Sequence, residues 1–144
     1  MPDQLYINQF SSRDREFPGL SDSSDWIEIY NPNEYDVNLN CWSICDSGNF
    51  AVDGNDEVDC TIGGYLDCQE DVYDVIIPAG GFKLVMANDC NDSASGDCDE
   101  DEGPPYEDGS GYIHMPYKIG GSDGIRLIAP TDSGAPGGEQ VDYY

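Results

Sequence analysis

The sequence predicts an all-β fold, and three observations support this class. Apolar and polar residues alternate over short runs, Gly or Pro interrupts the chain between the runs, and no long window has a convincing 3.6-residue periodicity. We therefore expect one domain over residues 1–144, with roughly seven to nine short strands arranged as an antiparallel sandwich or barrel.

The run "QLYINQFSS" predicts the first strand. Regular alternation places Leu5 and Ile7 on one face, and Tyr6, Asn8 and Phe10 on the opposite face. A strand of this kind buries one side and leaves the other side to water.

The stretch "DWIEIYNPNEYDVNLNCWSICD", residues 25–46, reads as two strands joined by a turn at "NPNE". Ile27 and Ile29 share one face of the first strand. We expect a hairpin that supplies these two residues, together with Trp42 and Ile44, to the core. Trp26 is expected to be a core residue as well.

Further strands are expected in "DVIIPAGGFKLVMAND", in "GYIHMPYKIGGSDGIRLIAP" and in "EQVDYY". Two stretches, residues 47–74 and 88–111, do not fit the strand pattern. Loops longer than about 15 residues are uncommon in compact domains unless they are functional or disordered. We interpret both stretches as long acidic insertions that carry cysteines.

Acidic residues dominate the charge, with 30 Asp and Glu against five Lys and Arg and a net charge of −25. Nucleic acid is bound largely by cationic side chains, so direct DNA or RNA binding is disfavoured. The same argument disfavours an anionic membrane surface. No apolar run approaches the roughly 20 residues that span a bilayer. Positive partners, metal ions or a salty medium remain compatible with this charge.

The six cysteines are even in number and lie in polar surroundings, as is typical of disulfides in an oxidising compartment. Structural zinc is the rival interpretation, but the chain has no CxxC pair and a single His. No cationic start followed by an apolar stretch marks an export signal, so we expect a piece of a longer secreted precursor. The expected disulfide cysteines are Cys41, Cys45, Cys60, Cys68, Cys90 and Cys98.

The pairing of these cysteines is only partly constrained by the sequence. Cys90 and Cys98 lie in one acidic loop and form the simplest local bridge. If residues 41–45 form a strand, Cys41 and Cys45 point to the same face. Cys41 and Cys45 could pair with each other or with Cys60 and Cys68. The shared face favours two bridges from that strand to the segment that carries Cys60 and Cys68, with the individual partners left open.

The order of these segments resembles the lamin-tail domain, in the form found in secreted bacterial proteins. That family has an INE-like first strand, a W-I-E-L-Y-N-P strand and turn, an L-x-G-W-x-L-x-D strand, a P-A-G-G turn and a late Gly-Asp-x-hydrophobic strand. The matching segments here are "LYINQF", "WIEIYNP", "LNCWSICD", "IPAGGFKLVMAN" and "SDGIRL". The resemblance covers about 80 of the 144 residues, all of them outside the two insertions.

The resemblance implies an immunoglobulin-like β-sandwich that serves as a non-catalytic attachment or interaction module. Similar domains in lamins are linked to protein partners and chromatin, but the charge here argues against DNA contact. Two positions depart from the family pattern: Gln9 stands where a Glu is usual, and Cys41 stands where a Gly is usual. The second departure suggests that this strand has been recruited into a disulfide.

The sequence does not indicate an enzyme. The only histidine, His114, lies in the strand-like stretch "YIHMPY". The segment "GGSDG", residues 120–124, has the G-x-S-x-G spacing, but the strand-like run "IRLIAP" follows it in place of the helix that a nucleophile elbow needs. Paired carboxylates are uninformative, because 30 acidic residues produce such pairs by chance. We expect no catalytic residues.

Calcium binding is a more specific hypothesis than catalysis, because calcium takes six to eight oxygen ligands of the kind that both acidic segments offer. The alternative is a solvated, salt-adapted surface. Tyr65, Tyr73, Tyr106, Tyr112 and Tyr117, in or near the same segments, are candidates for a protein- or polysaccharide-binding surface. The candidate metal ligands are Asp53, Asn55, Glu57 and Asp59 in the first segment and Asp97, Asp99 and Asp101 in the second.

The sequence therefore predicts an extracellular or cell-surface interaction module of a larger secreted protein, stapled by disulfides and with calcium as a candidate ligand of its acidic loops. The partner would be a protein or an extracellular polymer. The alternative is a stand-alone metal-binding or structural surface protein.

Overall fold

The computed structural model describes residues 3–11, 25–46, 60, 62, 75–87, 106–107, 111–115, 124–134 and 137–144. Within this part the chain forms β-strands, which confirms the all-β class. The ten strands are β1 (Tyr6–Ser11), β2 (Asp25–Tyr30), β3 (Val37–Asn38), β4 (Ser43–Asp46), β5 (Ile76–Ile77), β6 (Phe82–Ala87), β7 (Tyr106–Glu107), β8 (Tyr112–Met115), β9 (Ile125–Ile128) and β10 (Gln140–Tyr143).

The strands form three open sheets. The first sheet has the order β1-β2-β6-β8-β7, the second has the order β10-β9-β4, and β3 pairs with β5 in the third. Among the described residues no helix is long and apolar enough to cross a bilayer.

The prediction of purely antiparallel pairing is wrong at one place, because β6 and β8 run parallel. A parallel connection needs about a dozen residues or more to return the chain to the same end of the sheet. Residues 88–111 supply this length. The stretch expected to be an insertion is therefore the crossover between two neighbouring strands, and it contains β7, which pairs with β8.

The predicted hairpin over residues 25–46 is also wrong. β2 pairs with β1 and β6, whereas β4 pairs with β9 in a different sheet. The intervening chain crosses from one sheet to the other and contributes β3 on the way. Trp26 is half-buried on the face opposite the core. The other predicted core residues of this stretch are buried: Ile27, Ile29, Trp42 and Ile44.

One hydrophobic cluster joins the three sheets. Ile27 and Val85 come from the first sheet, Ile44 and Leu127 from the second, and Ile77 from the third. Burying such side chains contributes about 1.5 to 3 kcal/mol each relative to leaving them exposed. The members of this cluster are apolar, so the acidic side chains that dominate the composition do not belong to it.

The first strand departs from regular alternation at a β-bulge between Ile7 and Gln9. A bulge places an extra residue on one strand and so changes which side chains face inward. As a result Phe10, which alternation places opposite Ile7, packs partly against the core.

Asn31 holds the crossing between sheets in place and is fully buried. Its side-chain Nδ2 donates to the carbonyl oxygens of Tyr35, Ile77 and Pro78 at 2.9, 3.0 and 3.1 Å. Its Oδ1 accepts from the backbone N–H and the side-chain Nδ2 of Asn33 at 3.0 and 2.8 Å. One side chain thus connects the end of β2 to the segment between β5 and β6.

The edges of the first two sheets meet where β1 lies beside β10. The backbone N–H of Ile7 donates to Oδ2 of Asp142 at 2.7 Å. The rings of Phe10 and Tyr144 meet edge to face, with centroids 4.8 Å apart. Because an exposed strand edge offers unpaired backbone groups, the Asp142 carboxylate occupies a donor that would otherwise be open to another chain.

A disulfide joins Cys45 of β4 to Cys60, which confirms one of the two bridges expected from this part of the chain. It closes a separation of 15 residues, which contributes about 3 kcal/mol on the loop-entropy estimate. Cys41 is disulfide-bonded too, to a partner outside the described residues. The pairing of Cys68 stays a prediction, as does the bridge from Cys90 to Cys98.

The premise that residues 41–45 form one strand is wrong. Cys41 lies in a turn before β4, with a φ of 66°. This left-handed conformation is uncommon for residues other than glycine. Ile62 accepts from the N–H of Cys41 and donates to the carbonyl of Trp42, so a buried part of the first predicted insertion is hydrogen-bonded to this turn.

Replacing Asn31 with Asp should lower the free energy of unfolding by about 3 kcal/mol, because a buried carboxylate would face three carbonyl oxygens in place of an amide donor. Asn38→Asp is the matched control, since it adds the same charge at an exposed position whose oxygen still accepts from Asn40. Urea unfolding measures both variants. Equal midpoints for the two would contradict the role given to Asn31.

Replacing Asp142 with Ala should lower the free energy of unfolding by about 1 to 2 kcal/mol, because the N–H of Ile7 loses a charged acceptor. Asp142→Asn, which retains an oxygen acceptor, should lose less. Asp132→Ala removes the same charge from an exposed position and serves as the control. If thermal melting of the Asp142→Ala and Asp132→Ala proteins coincides, the edge contact has no stabilising role.

Candidate functional site

A row of three aromatic rings crosses the outer face of the five-stranded sheet, with Tyr30 half-buried between the exposed rings of Tyr6 and Phe82. Tyr6 of β1 lies opposite Tyr30 of β2, and Tyr30 lies opposite Phe82 of β6. The rings of Tyr30 and Phe82 are 4.8 Å apart between centroids and inclined by 32°. Tyr6 is 39% exposed and Phe82 is 52% exposed. We call Tyr6, Tyr30 and Phe82 the aromatic row.

Strand alternation points the aromatic row away from the core. Ile7 and Ile29, the neighbours of Tyr6 and Tyr30 in sequence, are buried on the inner face. Side chains of successive residues in a strand point to opposite faces, so their neighbours face outward. The three outward residues therefore lie side by side on adjacent paired strands.

The turn before β6 positions Phe82 at the end of its strand. Gly81 donates its N–H to the carbonyl of Pro78 at 2.8 Å, and Gly80 has a φ of 66°. A left-handed residue at the third position of a four-residue turn is typical of type II and favours glycine. The backbone N–H of Asn31 also donates to the carbonyl of Gly81, so the end of β2 and the start of β6 are held together.

A carboxylate lies next to the aromatic row on the same face. Glu28 is two residues before Tyr30 in β2, and its Oε1 accepts from Nδ2 of Asn8 at 2.6 Å and from Nε2 of Gln9 at 3.1 Å. Two neutral amides hold the carboxylate in position without neutralising its charge. A Glu at residue 9 would instead place a second negative charge beside Glu28.

The face is open at the aromatic row and closed farther along. Leu84 and Tyr112 continue it as a half-buried pair, while Met86 is buried although it lies on the same face as Phe82. Tyr6 and Phe82, the two large side chains of this face that are exposed among the described residues, therefore lie at one end of the sheet.

A second surface is an acidic cleft of about 460 Å³ near the β9–β10 connection. Its walls include Thr131 and the carboxylates of Asp3, Asp132 and Glu139. No group of three or more His, Cys, Asp or Glu residues in the described part of the chain is arranged to hold a metal ion.

Tyr35 borders the acidic cleft through a bond to Asp3. Its hydroxyl donates to Oδ1 of Asp3 at 2.8 Å. This bond to a carboxylate raises the pKa of Tyr35 above its usual value, with smaller contributions from desolvation and from the charge of Asp3. A tyrosine phenol is protonated at neutral pH in any case, and the raised pKa of Tyr35 extends the range over which it donates to Asp3 toward higher pH.

Most site residues expected from sequence lie outside the described residues. This applies to all seven candidate calcium ligands: Asp53, Asn55, Glu57, Asp59, Asp97, Asp99 and Asp101. Tyr65, Tyr73 and Tyr117 of the expected tyrosine surface lie outside them too, whereas Tyr106 is in β7 and Tyr112 is half-buried in β8. His114 lies in β8, within the strand expected for it.

Sequence reasoning missed the aromatic row. Its three members are far apart in the chain and are brought together only by the pairing of β1, β2 and β6. The outward positions of Tyr6 and Tyr30 could be read from alternation, but their alignment depends on register, which alternation alone does not specify.

Comparison with known proteins adds no assignment: no family model matches the chain, and no curated protein matches it.

Proposed function

We propose that this chain is a lamin-tail-type domain with an immunoglobulin-like β-sandwich arrangement. Three features support the proposal. Asn31, in the segment "WIEIYNP", is a buried hydrogen-bonding hub. Gly80, in "PAGG", has the left-handed conformation that its turn needs, and Cys41 has a left-handed φ at the position where the family pattern has glycine.

The function that we propose is non-catalytic attachment: an extracellular or cell-surface module that ties a larger secreted protein to a protein or extracellular polymer. The aromatic row is the observation that carries it. Large apolar side chains exposed together on a rigid surface are typical of interaction sites. The disulfide between Cys45 and Cys60 supports an oxidising compartment.

The aromatic row should be required for attachment. A triple variant, with Tyr6, Tyr30 and Phe82 each replaced by Ala, should lose most of the retention that the unaltered protein has on one or more immobilised probes, because it loses the apolar contact area. The probes are cellulose, chitin, polyarginine and polyglutamate, and retention is measured by fluorescence of labelled protein.

The control is Tyr143→Ala, which removes an aromatic ring that is 57% exposed on the three-stranded sheet. Thermal melting of every variant verifies that the domain is folded. Retention of the triple variant equal to that of the control on every probe would overturn the attachment surface.

The alternative proposal is a stand-alone metal-binding or structural surface protein, with calcium ordering the two acidic segments. It rests on the concentration of carboxylates in sequence, since crowded anions repel one another and a bound cation relieves this repulsion. It does not use the aromatic row.

Calcium titration into chelator-stripped protein tests the alternative. Saturable heat, together with a melting temperature that rises with calcium concentration, is expected if the segments form a site, because a ligand that binds only the folded state stabilises it. Magnesium at the same concentration is the control for general screening of charge. An equal response to both ions would count against a calcium site.

A further inference from the structure

We infer that the aromatic row, together with Glu28, binds a cationic segment of a partner polypeptide, with arginine side chains lying against the rings. This inference rests on the proposed attachment function and adds the chemistry of the partner to it.

The charge of the domain selects the sign of the partner. With a net charge of −25, a second copy of the chain or an anionic polymer is repelled as it approaches, whereas a cationic segment is attracted and its rate of association is raised. The carboxylate of Glu28 places this negative charge beside the rings themselves. Its hydrogen bonds to Asn8 and Gln9 keep it on the outer face.

The rings select the kind of cation. A guanidinium or ammonium group is attracted to the face of an aromatic ring within about 6 Å of its centroid, and arginine makes this contact more often than lysine. Arginine is also planar and more weakly hydrated, so it stacks on a ring with a smaller loss of solvation. Arg126 and Tyr143 already form such a contact within this chain, with the guanidinium carbon 5.8 Å from the ring centroid.

The length of the aromatic row indicates a polypeptide segment. Three adjacent strands place the outer rings about 10 Å apart, which corresponds to roughly three residues of an extended chain. Alternate residues of an extended chain point to the same side, about 7 Å apart, so two cationic side chains separated by one residue can reach the rings and Glu28 together. A single small cation would contact one ring and leave the rest of the apolar surface in water.

Fluorescence anisotropy with labelled nona-arginine and nona-lysine separates this inference from general attraction of charge. The unaltered protein should bind nona-arginine several-fold more tightly than nona-lysine, although the two peptides carry the same charge. The triple variant, with Tyr6, Tyr30 and Phe82 each replaced by Ala, also keeps the net charge of −25. It should lose about tenfold in affinity for nona-arginine and should lose the preference for arginine.

Two single variants keep the test informative if the triple variant unfolds. Phe82→Ala, at a ring that is 52% exposed, should reduce the preference for arginine. Glu28→Gln, which keeps an oxygen acceptor for Asn8 and Gln9, should lower the affinity for nona-arginine and for nona-lysine by the same factor. Tyr143→Ala should change neither the affinity for the two peptides nor the preference for arginine.

If the unaltered protein binds nona-arginine and nona-lysine equally, and the Phe82→Ala variant does so too, the inference is overturned, because charge alone would then explain the binding. Retention on cellulose or chitin that depends on the row, with no preference for arginine, would overturn the inference but leave the attachment function standing. If retention depends on the aromatic row for none of the probes, both the inference and the attachment function are overturned.

Discussion

The arrangement of the sheets depends on the hydrogen bonds of one buried side chain, Asn31. A carboxamide has both donors and an acceptor, so a single residue can donate to carbonyl groups of two chain segments and also accept from a residue of one of them. An unsatisfied buried carbonyl costs about 1 to 3 kcal/mol, and the amide of Asn31 contacts three carbonyls. The chain can therefore leave the first sheet at this point without leaving these carbonyl groups unsatisfied.

The aromatic row is a consequence of the same junction. Asn31 directly follows Tyr30, and its backbone N–H bonds to Gly81, which directly precedes Phe82. The two rings are thus placed side by side by contacts on the buried side of the sheet. The alignment of Tyr30 with Phe82 therefore depends on the hydrogen bonds of the residue that lies next to them in the junction.

Some of the negatively charged side chains accept hydrogen bonds from neighbouring strands. The repulsion of a highly acidic chain destabilises compact states, and a small apolar core must offset it. Here the carboxylates of Asp142 and Glu28 accept hydrogen bonds from a strand edge and from neighbouring amides. These two acidic groups therefore form specific contacts between strands in addition to contributing negative charge. The disulfide between Cys45 and Cys60 adds a covalent connection next to β4.

Local patterns in the sequence determined the strand class, the positions of most strands and the core residues Ile27, Ile29, Trp42 and Ile44, because alternation and turn residues depend on neighbours in the chain. They also indicated a bridge between Cys45 and the segment that carries Cys60. Pairing between distant strands was decided by the tertiary structure alone. The route from β2 to β4, the parallel contact of β6 with β8 and the alignment of the aromatic row all depend on contacts between residues far apart in sequence, and a period of two residues carries no information about which strands meet.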